Sequence, residues 1–109
     1  MNAIWEGDTR CAVMFGFDVD GISSALNNDP STSMLPTLMS MREYGPSVGM
    51  PRILDLLDKH EISASFYVPG YIAETHEELV CDIYNRGHEI GHHGYMHETP
   101  AKLAPDDEE

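Results

Sequence analysis

Short apolar runs alternate along the chain with segments of helical periodicity. Apolar and aromatic residues fill the stretch from Arg10 to Asp18 and alternate with polar residues over 62–70, and the short stretch "HEIGHH" follows at 88–93. Runs of this length, bounded by turn-forming residues, predict three β-strands. Two intervening segments repeat apolar residues at intervals of three and four, which predicts helices over 48–61 and 75–87.

The predicted helices also carry signals for their ends. Pro51 fits the first turn of the first helix, where its missing N–H costs nothing. Thr75 and Glu78 predict a capping box on the second helix, and Gly87 predicts its end. A further helix is expected to begin near Pro105. The residues expected to face the core are Met50, Ile53, Leu54, Leu57, Leu79, Val80, Ile83 and Tyr84.

The segment 21–47 has no clean period and is rich in Ser, Asn, Pro and Gly. It predicts a long loop with at most a short helical turn, and loops of this length are usually functional. The resulting order is strand, loop, helix, strand, helix, strand. Alternating strands and helices predict an α/β fold with a parallel sheet, and three strands cannot close a barrel.

Acidic residues outnumber basic ones by 19 to 6, which gives a formal net charge of -13. Such a surface repels phosphate backbones and anionic lipids, so we expect neither nucleic acid nor membrane partners. The stretch "MNAIWEGDTR" lacks the pattern of a signal peptide, so a cytoplasmic location is expected. Cys11 and Cys81 are expected to be reduced and mostly buried.

Four of the six histidines lie in the stretch "GHEIGHHGYMHE", residues 87–98. His93 and His97 are four residues apart, a spacing that on a helical turn lets both rings bind one ion. Asp18 and Asp20 follow the first predicted strand and would point to the same side of an extended chain. One could bind the ion while the other accepts a proton from a water molecule. Strand ends of a parallel sheet share one face, so these residues predict a catalytic metal site.

The other residues near the site are open to more than one interpretation. His92 is expected to support or pack beside the metal ligands and not to bind the ion, and Tyr95 is expected either to pack on the ligand histidines or to line the pocket. Both are candidates for contact with a substrate. His88 is expected to make a structural hydrogen bond, and His76 to be solvated in the first turn of a helix. His60, near the end of the first predicted helix, would complement the helix dipole.

The stretches "FDVDG" and "RGHEIGHHGYMHE" together resemble the first two motifs of the polysaccharide deacetylase family, the NodB homology domain. The segment 43–74 is similar to a branch that contains peptidoglycan deacetylase-like, allantoinase-like and cyclic imide hydrolase proteins. The resemblance covers nearly the whole chain. It implies the N-terminal part of a distorted barrel of about seven β/α units, incomplete over residues 1–109. It also implies that Asp18 is the catalytic base and that Asp20, His93 and His97 bind the metal.

The resemblance implies hydrolysis of a non-peptide C–N bond, with N-deacetylation of an acetylated sugar as the first hypothesis. Ring opening of a cyclic amide is the second, and a non-catalytic fragment that only binds metal is the third. Zinc is the expected metal, with cobalt or nickel as alternatives; the partner is a glycan or small molecule, and a homo-oligomer is possible. The family's later arginine and histidine motifs are not found in this sequence. Gly94 replaces the family's usual Ser or Thr, so the positioning of His97 is expected to differ.

Overall fold

The computed structural model describes Gly7 and residues 9–107. Three strands form a parallel sheet in the order β1-β2-β3: β1 is Gly16–Asp18, β2 is Ser65–Val68 and β3 is Glu89–His92. The helices are α1 (Ser23–Asn28), α2 (Pro36–Tyr44), α3 (Met50–Lys59), α4 (Gly70–Thr75) and α5 (Glu77–Asn85). The predicted α/β class with a parallel sheet is therefore confirmed.

The strand register brings the three strand ends to one edge of the sheet. Asp18 is opposite Tyr67 of β2, and Val68 is opposite His92 of β3. The ladder continues beyond β1, because the backbone N–H of Val19 donates to the carbonyl of Tyr67 at 2.9 Å. The segments that follow β1 and β3 consequently leave the sheet at the same edge, on either side of the end of β2.

The core lies between the sheet and helices α3, α4 and α5. Leu54, Phe66, Ile72 and Ile83 are fully buried at its centre. Met50 and Leu57 are also buried, and Ile53 packs at the edge, so the predicted apolar face of α3 is confirmed. In α5, Ile83 is buried and Leu79 and Val80 are partly buried, but Tyr84 is 71% exposed, so its predicted burial is wrong.

The segment 21–47 is largely helical, which the sequence analysis did not predict. Besides α1 and α2 it contains a 3-10 helix at Pro30–Met34 and leads into a π-helical turn at Gly45–Gly49, which joins α2 to α3. Helix α2 buries none of its residues. A helix without a buried face leaves no 3.6-residue period in the sequence, and this is why the pattern indicated a loop.

The first and last predicted elements are shorter in the structure. Residues 10–15 do not belong to β1, and Val13 and Met14 are 75% and 92% exposed. Among the described residues β1 pairs only with β2, so this segment has no second neighbour to bury it. At the other end, Pro105–Asp107 forms a single 3-10 turn, and residues 108–109 lie outside the described part of the chain.

The predicted helix 75–87 is divided between α4 and α5 by His76, whose φ of -133° is not helical. Thr75 is the last residue of α4 and its hydroxyl donates to the carbonyl of Tyr71 at 2.8 Å, so the predicted capping box is not formed. His76 is not solvated as predicted: its side chain is only 17% exposed, and its Nε2 lies 2.8 Å from Oε1 of Glu43. Helix formation thus begins earlier than predicted, at Gly70, one residue after β2.

Two smaller predictions also have clear outcomes. The buried His88 accepts a hydrogen bond through Nδ1 from the backbone N–H of Ala64 at 3.3 Å, which confirms its structural role. Cys11 and Cys81 are free, as predicted, but both are exposed rather than buried. Cys11 precedes β1, and Cys81 lies on the outer side of α5.

Within the described ranges, no helix is long and apolar enough to cross a bilayer. The stretch examined for a signal peptide lies mostly outside those ranges.

Candidate metal centre

The turn after β1 places Asp20 at the edge of the sheet. Val19 is buried in the core, which leaves Asp18 and Asp20 on the opposite side of the chain. Gly21 has a φ of +52°, and a Cβ there would lie 2.8 Å from Cδ1 of Ile72, so only glycine fits this turn. The buried Ser23 donates its hydroxyl to the backbone carbonyl of Asp20 at 2.7 Å. Asp20 is thus held from both sides of the turn.

The segment after β3 brings two histidines to the same place. Nε2 of His93 lies 3.5 Å from Oδ1 of Asp20, and Nε2 of His97 lies 3.5 Å from Oδ2. The two imidazole rings meet edge to face, with centroids 4.7 Å apart. Each of the three residues offers one ligand atom, and these atoms all lie within 4.8 Å of one another.

The donor atoms fit a divalent metal ion. Zinc binds imidazole nitrogen and carboxylate oxygen at roughly 2.0–2.2 Å in tetrahedral geometry, which places ligand atoms about 3.4 Å apart. The two measured separations of 3.5 Å match this value. Oδ1 of Asp20 and Nε2 of His93 are buried and have no hydrogen-bond partner among the described residues. Buried polar atoms are normally satisfied, so this pair has the properties of an ion site.

The predicted helical turn between His93 and His97 is not present. Residues 93–99 form an irregular bend, in which Gly94 has a φ of +69° and His97 a φ of +58°. The i, i+4 spacing brings the two rings together through this bend and not through a helix. The Ser or Thr of the family motif would be strained here by the positive φ, and its Cβ, 2.7 Å from Oε2 of Glu98, would require the Glu98 side chain to move.

The first turn of helix α4 holds this bend through backbone hydrogen bonds. The backbone N–H groups of Gly70 and Tyr71 donate to the carbonyls of Gly94 and Tyr95, both at 2.9 Å. These are N–H groups of the first helical turn, which have no partner inside the helix. The Tyr95 hydroxyl donates to Oε2 of Glu74 at 2.9 Å, and this bond to a carboxylate raises the pKa of Tyr95.

The predicted pocket residues lie on two cavities at this edge. His92, His93, Tyr95, His97 and Glu98 contribute to a cavity of about 560 Å³. Asp18 and Asp20 line a smaller cavity of about 170 Å³, whose opposite wall comes from the α2–α3 junction. Asp18 is exposed at the end of β1 and is not one of the three clustered residues.

Three residues at the site were missed by the sequence analysis. Ser23, Gly70 and Glu98 act through backbone hydrogen bonds or close backbone approach. Only Glu98 had a local signal, because it follows His97 directly. The pKa of Glu98 is subject to opposing effects: burial raises it, but hydrogen bonds from the backbone N–H groups of Met96, Glu98 and Tyr95 prevail and lower it.

Comparison with known proteins gives one consistent result. A "Peptidoglycan deacetylase" of Helicobacter pylori is 34% identical over 97 residues, which are 89% of this chain and 33% of the relative. A "Peptidoglycan-N-acetylglucosamine deacetylase" of Bacillus cereus is 42% identical over 57 residues, 52% of this chain and 21% of the relative. This chain therefore spans a third or less of the length of these curated relatives.

A solved structure and a family model agree with these relatives. The crystal structure of a protein described as a polysaccharide deacetylase from Mycobacterium smegmatis superposes with a TM-score of 0.92 at 44% sequence identity. The match covers 96% of this chain and 37% of that one. The sequence model described as "Polysaccharide deacetylase" matches residues 35–109, more than half of the chain. The chain therefore belongs to the polysaccharide deacetylase family.

Proposed function

We propose that this chain carries the metal-binding part of a divalent-metal-dependent hydrolase that removes acetyl groups from N-acetylated sugars of a polysaccharide. The observation that carries the proposal is the convergence of Asp20, His93 and His97 from the ends of two different strands. Membership of the deacetylase family supports the reaction class. The relatives named as peptidoglycan deacetylases support a glycan substrate.

The donor set favours zinc, with cobalt or nickel as alternatives, because two imidazoles and one carboxylate suit these borderline ions. Asp20, His93 and His97 would hold the ion and leave a further position open. When bound, it would polarise the amide carbonyl and lower the pKa of a water molecule. The three side chains need little rearrangement, since their donor atoms already have ligand-like separations.

Asp18 is proposed as the catalytic base. Its carboxylate is exposed and lines the same small cavity as Asp20, beside the place where substrate would meet the ion. From there it would accept the proton that the attacking water loses. Hydrolysis adds this water across the C–N bond, which gives acetate and a free amino sugar.

His92 and Tyr95 are proposed to contact the substrate along the larger cavity. His92 is exposed at the end of β3, next to His93. The Tyr95 hydroxyl already donates a hydrogen bond to Glu74, so the aromatic ring is the part of this side chain available to a sugar. Tyr95 as a whole is 47% exposed. A flat apolar ring suits the face of a pyranose.

The proposal is tested by measuring acetate release from N-acetylglucosamine oligomers and peptidoglycan fragments with zinc, cobalt or nickel. Asp18→Asn is expected to lower turnover by about 10²–10⁴-fold, the usual contribution of a general base, while metal affinity stays unchanged. Asp20→Asn is expected to lower both. Ring opening of allantoin or a cyclic imide without acetate release would replace the proposed substrate. Metal binding without turnover of any of these compounds would contradict a catalytic role for this chain and favour the hypothesis that it only binds metal.

A further inference from the structure

The bend between the two histidines contains two residues in the left-handed region. Gly94 has a φ of +69°, which glycine adopts freely. His97 has a φ of +58°, a conformation that is unfavourable for a residue with a Cβ and persists only where its surroundings enforce it. Contacts of the bend, and not the intrinsic preference of the backbone, must therefore hold His97 in the position where its Nε2 faces Asp20.

The side chain of Glu98 reaches back across this bend. Its Oε2 accepts the backbone N–H of Tyr95 at 2.9 Å, and its Oε1 accepts the backbone N–H of Met96 at 2.8 Å. Hydrogen bonds to an ionised carboxylate are stronger than those between neutral groups. One carboxylate thus fixes two consecutive peptide groups directly before His97.

The two sides of the bend are fixed by different partners. The carbonyls of Gly94 and Tyr95 accept from the first turn of α4, and the N–H groups of Tyr95 and Met96 donate to Glu98. Gly94 leaves room for this arrangement, because a Cβ there would lie 2.7 Å from Oε2 of Glu98 and 3.3 Å from its backbone nitrogen.

We propose that Glu98 is a positioning residue for the metal site: its carboxylate holds the bend so that His97 presents Nε2 to an ion shared with Asp20 and His93. The inference rests on the proposed metal site and adds a residue to it that binds no metal. Both of its oxygens are engaged by backbone N–H groups, and it is not among the clustered donor atoms.

The test compares zinc affinity, by competition with a chelator, between the full chain and its Glu98→Gln and Glu98→Ala variants. Glutamine keeps the size of the side chain but replaces one accepting oxygen with an NH₂ donor that faces a backbone N–H. We expect zinc to bind roughly 10–100-fold more weakly in both variants, the usual effect of losing a residue that orients a ligand. Glu78→Gln, an exposed glutamate in the first turn of α5, is the matched control and is expected to bind as the parent chain does.

A double-mutant cycle separates positioning from general stability. Gly94→Ala introduces the clash with Glu98 as well as strain from its positive φ, whereas in a Glu98→Ala background only the strain and the contact with the backbone remain. Gly94→Ala should therefore weaken zinc binding less in that background. The absorption spectrum of bound cobalt, which reports ligand geometry, should change in the Glu98→Gln variant. A role in folding alone would not alter that spectrum.

Each outcome gives a decision. Unchanged zinc affinity and an unchanged cobalt spectrum in a folded Glu98→Gln variant overturn the inference. If His93→Ala and His97→Ala also bind zinc normally, the metal site itself is wrong and not merely the role of Glu98. If Glu98→Ala does not fold, the decision rests on Glu98→Gln, which retains one of the two hydrogen bonds.

Discussion

Nε2 of His93 lies 3.5 Å from Oδ1 of Asp20, although the two residues follow strands that do not pair with each other. Strand β2 lies between β1 and β3, and the turns beyond the strand ends cross this gap at the edge of the sheet. Neither atom has another partner within the described ranges. This relationship is the basis of the proposed metal site, and it leads to direct tests.

The three clustered side chains are expected to act as one ion site. His93→Ala, His97→Ala and Asp20→Asn should each weaken zinc binding by more than about 100-fold, beyond the range for residues that only orient ligands. His60→Ala is the control, since His60 is exposed at the end of α3. Isothermal titration with zinc, and the rise in melting temperature at saturating zinc, measure the effect. If all three variants bind zinc as tightly as the control, the proposed ion site is wrong.

Gly70 is expected to be required for the approach of α4 to the bend formed by residues 93–99. A Cβ there would lie 2.6 Å from Cδ2 and 3.4 Å from Cα of Tyr95. Gly70→Ala should therefore displace the bend, cost about 1–3 kcal/mol of unfolding free energy and weaken zinc binding. Gly45→Ala is the matched comparison, because its Cβ would meet nothing within 4 Å and its φ is -56°. Equal effects of the two substitutions in urea unfolding would contradict this close approach.

Leu54 and Leu56 provide a paired test of the core on one helix. Leu54 is fully buried, and Leu56 is 56% exposed two residues along α3. Leu54→Ala should lower the unfolding free energy by about 2–5 kcal/mol, because it removes buried methyl groups and leaves a cavity. Leu56→Ala should lower it by less than about 1 kcal/mol. Urea unfolding decides between this arrangement and one in which α3 is rotated.

The contact between Glu43 and His76 should make stability depend on pH. Hydrogen bonds from Ser47 and His76 hold the pKa of Glu43 below its ordinary value of 4.5. A carboxyl group whose pKa is lowered by folding stabilises the folded state above its unfolded pKa, and that contribution is lost as the pH falls through the folded pKa. Glu43→Gln should therefore be less stable than the parent chain near neutral pH, by up to about 1 kcal/mol because the pair is partly exposed.

The difference in unfolding free energy between the parent chain and Glu43→Gln should shrink as the pH is lowered below about 4.5, where the Glu43 carboxylate of the parent chain becomes protonated. Urea unfolding of both proteins between roughly pH 3 and pH 7 measures it. Glu61→Gln serves as control, since Glu61 is exposed and lies outside the helices. A difference in unfolding free energy that grows toward low pH would contradict a lowered pKa of Glu43 in the folded chain.

Much of the fold could be predicted because it depends on burial. The apolar face of α3 and the strand β2 repeat with the period of their secondary structure, since each has one side in the core. Helices α1 and α2 were missed for the same reason: with almost no buried side they leave no periodic pattern. The break at His76 was missed because α4 begins at Gly70, where tertiary contacts and not local capping decide the helix start.

The sequence by itself determined the chemistry of this site, because residue types and their spacing fix which donors are available. Asp18, Asp20, His93 and His97 could be selected from two short motifs. Only the tertiary structure decided how they meet: an irregular bend replaces the expected helical turn, and it is held by Gly70 and Glu98. Gly70 approaches the bend from a segment distant in sequence, so no local pattern records its contact. Glu98 lies next to His97, but it acts by accepting backbone N–H groups, and these bonds form only once the bend has its tertiary shape.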